Sequence, residues 1–353
     1  MNTGLFYKDK PIFGLDIGTS SLKVVEIASQ GKKRQITGYG VTNYERKLFK
    51  DGVIEDPLTL AKATKELFQK NIIGEISTRR TALSVPVART YNRVMKLPHM
   101  NKRDLDQAVR LEAEQYIPVP INDLYIDFSI TSETKEGFEL LVVAAPKKII
   151  DSYLILTDLL GLEVCTIETT ISASSRLIAH SEDNDVPTIL IDFGSVSVDI
   201  TIYDKQLIVT GTVAGGGDNF TDLISKKLGV SQQAAHTIKT KYGLSVSKKQ
   251  REVESALNPI LSTLCKEIRK MIRYYNDRSE VKNTLGQIIT MGGGANLPGL
   301  SEYLTSELRM PTRMCNPWKN LSFGKLEPPN ELEKSMFVTA AGLALINPME
   351  IWK

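Results

Sequence analysis

The chain of 353 residues has few cysteines, no long apolar run and no excess of one charge. Its three cysteines, Cys165, Cys265 and Cys315, are odd in number and far apart, which excludes a disulfide framework and a metal site of closely spaced cysteines. No apolar run approaches the roughly 20 residues of a membrane-spanning helix, and residues 1–10 lack the apolar segment of a signal peptide. We therefore expect a soluble protein of a reducing cytoplasm.

The charges are nearly balanced, with 44 basic and 41 acidic residues and a net charge of +3. Because no basic run is long, nucleic acid is excluded as a main partner. The length and a hydrophobic content of 42% are sufficient for two lobes with separate cores.

Residues 12–27 are predicted to form a β-hairpin, because apolar runs at 12–17 and 22–27 flank a short polar turn. The turn consists of Gly18, Thr19, Ser20 and Ser21. Small residues there leave backbone N–H groups open to an anion. Asp16 ends the first strand, where a carboxylate in apolar surroundings needs a compensating cation such as hydrated Mg²⁺. The pattern favours a phosphate cradle, and an ordinary structural turn is the alternative.

Two later stretches complete a pattern. Residues 188–203 repeat the hairpin, with Asp192 and Gly194 in the same arrangement. Residues 287–300 read as a buried strand that runs into three glycines and then a helix start, which indicates close approach of the backbone to a ligand.

In this order and spacing, the three stretches resemble the phosphate-1, phosphate-2 and adenosine motifs of the actin-like ATPase superfamily. The resemblance implies an α/β fold of two ribonuclease-H-like lobes around a nucleotide cleft, with ATP and Mg²⁺ as ligands. It places the metal, through its waters, on Asp16 and Asp192. It also implies a catalytic role for Asp192, and one for Glu168 in orienting the attacking water, although a helix-capping carboxylate is the alternative for Glu168.

Further contacts follow from the same resemblance. Phosphate would receive N–H groups from Gly18 to Ser21 and from the second turn, Gly194, Ser195, Val196 and Ser197. Lys23 stands at the offset of a phosphate-contacting lysine in actin, but strand alternation points it to the side opposite Asp16, and a solvated edge-strand lysine is the alternative. The other implied nucleotide contacts are the turn Gly216, Gly217 and Asp218, the ribose-side Lys239, and the adenine loop Gly292, Gly293 and Gly294.

Two departures weaken the resemblance to active ATPases. His236 replaces the glutamate of the FtsA-type phrase that contains Lys239, although a neutral imidazole can still bond a hydroxyl. Val196 stands where strong ATPases have small residues, which limits how closely the backbone can wrap a γ-phosphate. We therefore expect nucleotide binding with at most slow hydrolysis.

An inserted subdomain is expected at residues 88–165, made of a helix after Asn101, strands at 125–131 and 138–144, and a helix at 146–161. Its place and size resemble FtsA and the PilM family of type IV pilus assembly proteins, as do the phrases at 112–118, 144–147, 292–300 and 340–344. The chain closes without the linker and basic amphipathic tail typical of FtsA, which favours PilM. The other predicted parts are lobe 1 at 1–87 and 166–187, lobe 2 at 188–334, and a returning helix at 335–353.

Membership of the PilM family would imply an adaptor that docks the cytoplasmic N-terminal peptide of the membrane protein PilN. It would couple the pilus alignment complex to the assembly motors, meet other pilus assembly proteins, and reach the inner face of the membrane through these partners alone. Self-association stays open. The alternatives are an FtsA-like division adaptor and a small-molecule kinase, although no general-base aspartate for an acceptor site is evident.

Overall fold

The computed structural model describes residues 10–30, 33–181, 186–278 and 284–351. These residues divide into two compact units. Unit 1 takes the described residues of Met1–Glu26, Gly38–Ser172 and Ile346–Lys353, and unit 2 takes those of Ile27–Thr37 and Ala173–Leu345.

Elements up to residue 169 alternate short strands with three helices. The strands are β1 (Phe13–Ile17), β2 (Ser21–Gln30), β3 (Lys33–Asn43), β4 (Phe49–Lys50), β5 (Val53–Ile54), β6 (Ile73–Gly74), β7 (Arg80–Val85), β8 (Tyr91–Leu97), β9 (Leu124–Thr134), β10 (Gly137–Pro146) and β11 (Glu163–Thr169), and the helices are α1 (Pro57–Lys70), α2 (Lys102–Tyr116) and α3 (Lys147–Leu160). The larger sheet has the order β11-β7-β1-β2-β3-β6. Strands β1, β7 and β11 run parallel, and β1 and β2 form the antiparallel hairpin predicted from the sequence.

Local chemistry explains where these helices begin and end. The side chain of Asp56 accepts a hydrogen bond from the N–H of Thr59 at 3.0 Å and caps α1, whose first residue is Pro57. Asn101 caps α2 through the N–H of Asp104, as predicted. Helix α3 ends at Gly161 in the left-handed conformation that glycine adopts at low cost.

Residues 88–165, where the sequence predicts an insert, contain one strand more than predicted. Strand β8 pairs antiparallel with β10 and completes a sheet of order β8-β10-β9, on which α2 packs through Leu105 and Val109. The sequence of β8 is Tyr-Asn-Arg-Val-Met-Lys-Leu, which mixes cations and apolar residues. The alternation of apolar and polar residues that indicates a strand is therefore weak. Helix α3 buries Ile149 and Tyr153 in the core of the larger sheet. The boundary predicted at residue 165 stays a prediction.

The elements from residue 170 onward include the five strands of a second sheet. They are α4 (Thr170–Ser181), β12 (Thr188–Phe193), β13 (Ser197–Asp204), β14 (Gln206–Ala214), α5 (Gly217–Leu228), α6 (Gln232–Lys241), α7 (Gln250–Arg278), β15 (Gln287–Met291), α8 (Leu300–Leu308), β16 (Thr312–Met314), α9 (Val338–Ala344) and α10 (Pro348–Ile351). The sheet order is β14-β13-β12-β15-β16, and β12 and β13 form the second predicted hairpin.

The sequence predicts a long helix from about Pro259 to Asn276, but helix α7 begins nine residues earlier, at Gln250, and keeps this proline in its interior. A proline inside a helix costs about 3 kcal/mol because it removes a hydrogen bond and clashes with the preceding turn. Here Val253 and Leu257 precede it and are buried in the unit 2 core, which continues through Leu261 and Leu264. Burial of this first part of the helix compensates for the proline.

Candidate functional site

Four polar side chains lie side by side across the larger sheet of unit 1. Glu168 on β11 is paired in register with Ser84 on β7, Ser84 with Asp16 on β1, and Asp16 with Lys23 on β2. Residues paired across neighbouring strands project to the same face of a sheet. Asp16, Lys23 and Glu168, which the sequence singled out separately, therefore occupy one row, together with a serine that was not predicted.

The carboxylate of Asp16 is bound on both oxygens. Lys23 Nζ lies 3.0 Å from Oδ2, and Ser84 Oγ donates to Oδ1 at 3.0 Å. All three residues are buried. The expectation that Lys23 points away from Asp16 was wrong, because the turn places the two residues directly opposite each other. The ammonium thus supplies the compensating charge that a buried carboxylate requires.

Tyr44 forms hydrogen bonds to the backbone of the first turn. The N–H of Gly18 donates to the carbonyl of Ser21 at 2.9 Å, and the N–H of Tyr44 donates to the carbonyl of Ser20 at 3.1 Å. The Tyr44 hydroxyl also donates to the carbonyl of Gly18. Burial, with Tyr153 and Asp16 nearby, raises the pKa of Tyr44 well above its usual value. The hydroxyl therefore stays protonated and remains a donor to the turn.

The second hairpin has a carboxylate at the position that Lys23 holds in the first. Asp199 on β13 is paired with Asp192 on β12 and, on its other side, with Thr212 on β14. Burial raises the pKa of Asp199 to about 6, and the hydroxyl of Thr212, which donates to Oδ1 at 2.6 Å, opposes this shift. Sequence reasoning missed Asp199. The available signal was its offset of seven residues from Asp192, the same as that of Lys23 from Asp16.

The turn of the second hairpin is bound by the glycine-rich start of α5. The N–H groups of Gly215, Gly217 and Asp218 donate to the carbonyls of Val196, Gly194 and Ser195, at 3.0, 2.9 and 2.9 Å. A Cβ on Gly216 would lie 2.3 Å from the carbonyl oxygen of Gly194. The second Asp-x-Gly turn, including Ser197 at its end, and the turn at 215–218 thus form one closely packed backbone structure, and these three N–H groups donate within the protein.

The triple glycine after β15 packs against the same hairpin. A Cβ on Gly292 would lie 2.3 Å from Asp192 Oδ1, and one on Gly294 would lie 2.9 Å from Phe193 Cβ. At Gly292 the backbone also has φ of +81°, which favours glycine. Gly293 differs, because its Cβ would make only an ordinary contact with Met336 Cγ at 3.6 Å. Packing against the protein itself explains two of the three glycines.

Lys239 reaches the same place from α6. Its Nζ donates to the carbonyl of Gly217 at 2.8 Å and to Thr221 Oγ1 at 2.9 Å. Burial lowers the pKa of Lys239, and Asp218 opposes this shift. Burial and the charge of Lys239 lower the pKa of His236, so its imidazole is neutral at physiological pH. The side chains proposed for the ribose therefore lie beside the glycine-rich turn.

The predicted residues are thus brought together in two groups. Unit 1 contains Asp16, the first turn with Thr19, Lys23 and Glu168. Unit 2 contains the other predicted residues, which are Asp192, the second turn, the turn at 216–218, Lys239 and the glycines at 292–294. Within the described ranges, no group of three or more His, Cys, Asp or Glu side chains could hold a metal ion by itself. This donor set fits Mg²⁺ only in its usual form, in which waters and ligand phosphates supply most of the coordination. No helix among the described residues is long and apolar enough to cross a membrane.

Comparison with solved structures shows the fold. The chain superposes on a structure of the PilM-PilN type IV pilus biogenesis complex with a TM-score of 0.83 and 24% identity, covering 97% of this chain and 99% of the other. MreB 5 of Spiroplasma citri bound to AMPPNP matches with a TM-score of 0.54 and 13% identity, over 94% of each chain. The two-lobed actin-like ATPase fold expected from the sequence is confirmed.

Curated relatives include cell division proteins. FtsA of Streptococcus pneumoniae is 25% identical over 329 residues, which is 82% of this chain and 72% of that protein. FtsA of Borreliella burgdorferi is 22% identical, over 95% of this chain and 90% of that protein. The family model for the type IV pilus assembly protein PilM matches residues 14–347. Since this match spans nearly the whole chain, including both hairpins, the insert and the triple glycine, the chain belongs to the PilM family of type IV pilus assembly proteins.

Proposed function

We propose that the chain is an adaptor of type IV pilus biogenesis that docks the cytoplasmic N-terminal peptide of PilN. In this role it lies in the cytoplasm, is recruited to the inner face of the membrane by its partners, and links the alignment complex to the assembly motors. The observation that carries the proposal is the family match over residues 14–347, supported by the fold match to a PilM-PilN complex. Extended peptides bind to strand edges and grooves of α/β proteins in many systems.

The direct test is calorimetric titration of the full chain with a synthetic peptide. The peptide copies the N-terminal cytoplasmic segment of the PilN encoded in the same genome, and a scrambled peptide of the same composition is the control. We expect saturable one-to-one binding of the native peptide alone. Equal heats from both peptides, or from neither, would refute the docking function.

We further propose that the two Asp-x-Gly hairpins bind Mg²⁺–ATP. Two features support this: Asp16 and Asp192 are each the last residue but one of a strand that leads into a tight turn, and Lys239 lies beside Gly217. When bound, Mg²⁺ neutralises charge on the phosphates and holds their geometry. Asp16 and Asp192 would orient its waters, Lys23 would turn from Asp16 toward phosphate, and Gly292 to Gly294 would face the base.

Hydrolysis is proposed to be slow at most, with Glu168 as the residue that would orient water. Val196 in the second turn is the feature that supports this restriction. Binding is measured by titration with a fluorescent ATP analogue, and turnover by phosphate release from the same samples. Asp16→Asn and Asp192→Asn should each weaken nucleotide binding, and unchanged affinity in both variants would refute the assignment. Lys62→Gln, on the exposed side of α1, is the matched control.

A division adaptor is the second candidate, and the FtsA relatives favour it. The discriminating experiment is capture of the tagged chain from cross-linked native membranes, with partners identified by mass spectrometry. Recovery of PilN supports the pilus function, whereas recovery of the tubulin-like division protein without PilN supports the FtsA-like function. Recovery of neither would favour an enzyme of the same fold.

A further inference from the structure

The segment between α6 and α7 combines an exposed apolar side chain with several cations. We define residues 241–251 as the basic loop. The side chain of Val246 is 94% exposed. Four exposed cations stand around it in the chain, Lys241, Lys248, Lys249 and Arg251. A single exposed apolar residue is common on proteins and needs no explanation by itself. Val246 differs from an ordinary exposed residue in the number of exposed cations that flank it in the chain.

The basic loop is held in place by hydrogen bonds at its base. The N–H of Leu244, which is buried, donates to the carbonyl of Pro298 at 2.6 Å. The side chain of Gln250 donates to the carbonyl of Leu244 at 3.1 Å, and the N–H of Gln250 donates to the carbonyl of Ser247 at 3.2 Å. Leu244 thus anchors the loop to the unit 2 core, while Val246, two residues further on, projects into solvent.

The stretch of chain around Val246 carries a net positive charge. Glu252 and Glu254 follow the loop, and Lys249 Nζ lies 3.1 Å from Glu252. Over residues 241–254, four cations against two carboxylates leave a net charge of +2. Lys241 Nζ lies 5.5 Å above the ring of Tyr242, so its charge stays next to the loop. The exposed apolar tip therefore lies in a stretch of chain with excess positive charge.

We propose that the basic loop binds the anionic surface of a lipid bilayer, with Val246 entering the interface and the cations contacting headgroup phosphates. Lysine and arginine stems can lie along apolar surface while their charged ends stay in water, which suits this position. Each cation near an anionic bilayer contributes attraction that falls off within a Debye length. A projecting valine does not form a pocket that a side chain of a partner protein could fill. Insertion of the valine into the fluid interface of a bilayer needs no such pocket. The inference goes beyond the adaptor function, since it uses none of the residues assigned to nucleotide and requires no protein partner.

The first test is co-sedimentation of the full chain with vesicles in the absence of PilN. We expect binding to vesicles of phosphatidylglycerol and phosphatidylethanolamine, little binding to phosphatidylcholine, and release by high salt. Lys248→Glu should lower the partition coefficient by about twenty-five-fold, since loss of one cation and gain of one anion each cost about fivefold. The matched control is Lys226→Glu, on an exposed lysine of α5, which should have little effect. Equal losses in the two variants, or no binding by the unmodified chain, would overturn the proposal.

The second test asks whether Val246 enters the interface. A polarity-sensitive NBD label on Val246→Cys, in a Cys165→Ser background, should shift to the blue when anionic vesicles are added. Leu332→Cys, at a residue that is 68% exposed, should not respond. Binding of poly-glutamate that depends on Lys248, with no shift at position 246 in vesicles, would assign the loop to an acidic protein and refute the lipid proposal. Because vesicles contain no PilN, either result is independent of the adaptor function.

Discussion

Asp199 lies opposite Asp192 on the second hairpin, in the position where Lys23 lies opposite Asp16 on the first. The two hairpins therefore share a backbone plan and differ in charge. In unit 1 an ammonium 3.0 Å away neutralises the carboxylate at the strand end. In unit 2 the facing residue is a second carboxylate, which burial keeps partly protonated near neutral pH. The second hairpin therefore has two acidic side chains facing each other where the first has an ion pair.

Removal of the ammonium of Lys23 should destabilise unit 1. Lys23→Met leaves the buried carboxylate of Asp16 with the Ser84 hydroxyl alone, and breaking one side of a buried ion pair costs about 3–5 kcal/mol. Urea unfolding monitored by circular dichroism measures the loss. Asp16→Asn in the same chain should recover much of it, and Lys62→Met on the surface should change little. Equal stability of Lys23→Met and Lys62→Met would contradict the structure.

Asp199 should make the stability of unit 2 depend on pH. Its folded pKa of about 6 lies above the usual value of 3.8, so the folded state holds the proton more tightly. The resulting stability is present below about pH 4 and is lost as pH rises through about 6. Asp199→Asn removes this loss while keeping an acceptor for Thr212. Above pH 7 it should raise the free energy of unfolding by up to about 3 kcal/mol.

The measurement is denaturant unfolding from pH 4 to pH 8, with Asp222→Asn, an exposed aspartate on α5, as the control. The difference between Asp199→Asn and the unmodified chain should be near zero at pH 4 and grow up to about pH 6. A difference that does not vary with pH would show that Asp199 does not titrate in this range.

The glycines around the second hairpin should not be equally replaceable. Gly216→Ala puts a Cβ 2.3 Å from a backbone oxygen, and such overpacking costs about 1–3 kcal/mol or more. Gly293→Ala meets only Met336 at 3.6 Å and is the matched control. Thermal unfolding should show a lower midpoint for Gly216→Ala and little change for Gly293→Ala. The reverse order would mean that the hairpin is not packed on the turn at 215–218.

Tyr44→Phe should loosen the first turn without disturbing the sheet. The variant loses the hydrogen bond to the carbonyl of Gly18, at a cost of about 1 kcal/mol. Faster amide hydrogen exchange at residues 18–21 is the direct readout. Tyr125→Phe, whose hydroxyl binds the exposed Asp151, is the control and should leave this exchange unchanged. Unaltered exchange in Tyr44→Phe would show that the tyrosine does not hold the turn.

Much of the architecture was predictable, because it depends on local patterns. Apolar alternation around Asp16 and Asp192 gave both hairpins, and Asn101 gave the start of α2. The features that the sequence did not predict correctly depend on contacts between segments that are distant in the chain. The side on which Lys23 lies follows from the hairpin register, which counting along one strand does not give. Strand β8 is stabilised by β10, some forty residues later, and the first part of α7 by the core that it joins.

The glycines at 292–294 show a second limit of prediction from the sequence. The three glycines after β15 were interpreted as a sign that the backbone closely approaches a ligand, which stays a prediction. In the structure the approaching groups at Gly292 and Gly294 are Asp192 and Phe193, so the sequence signal was a close contact, and the identity of the contacting group could not be read from it. The same holds for Ser84, which is unremarkable within a buried strand until register places it beside Asp16.

Helix α5 has no side-chain cap at its first turn, and the carbonyls of Gly194 and Ser195 accept the hydrogen bonds of its first two residues. The hairpin turn therefore acts as the missing cap, with its oxygens at the positive end of the helix dipole. The position at which this helix of 12 residues begins therefore depends on the conformation of that turn. The second Asp-x-Gly motif and the helix that ends at Leu228 are thus joined by backbone hydrogen bonds into one structural unit.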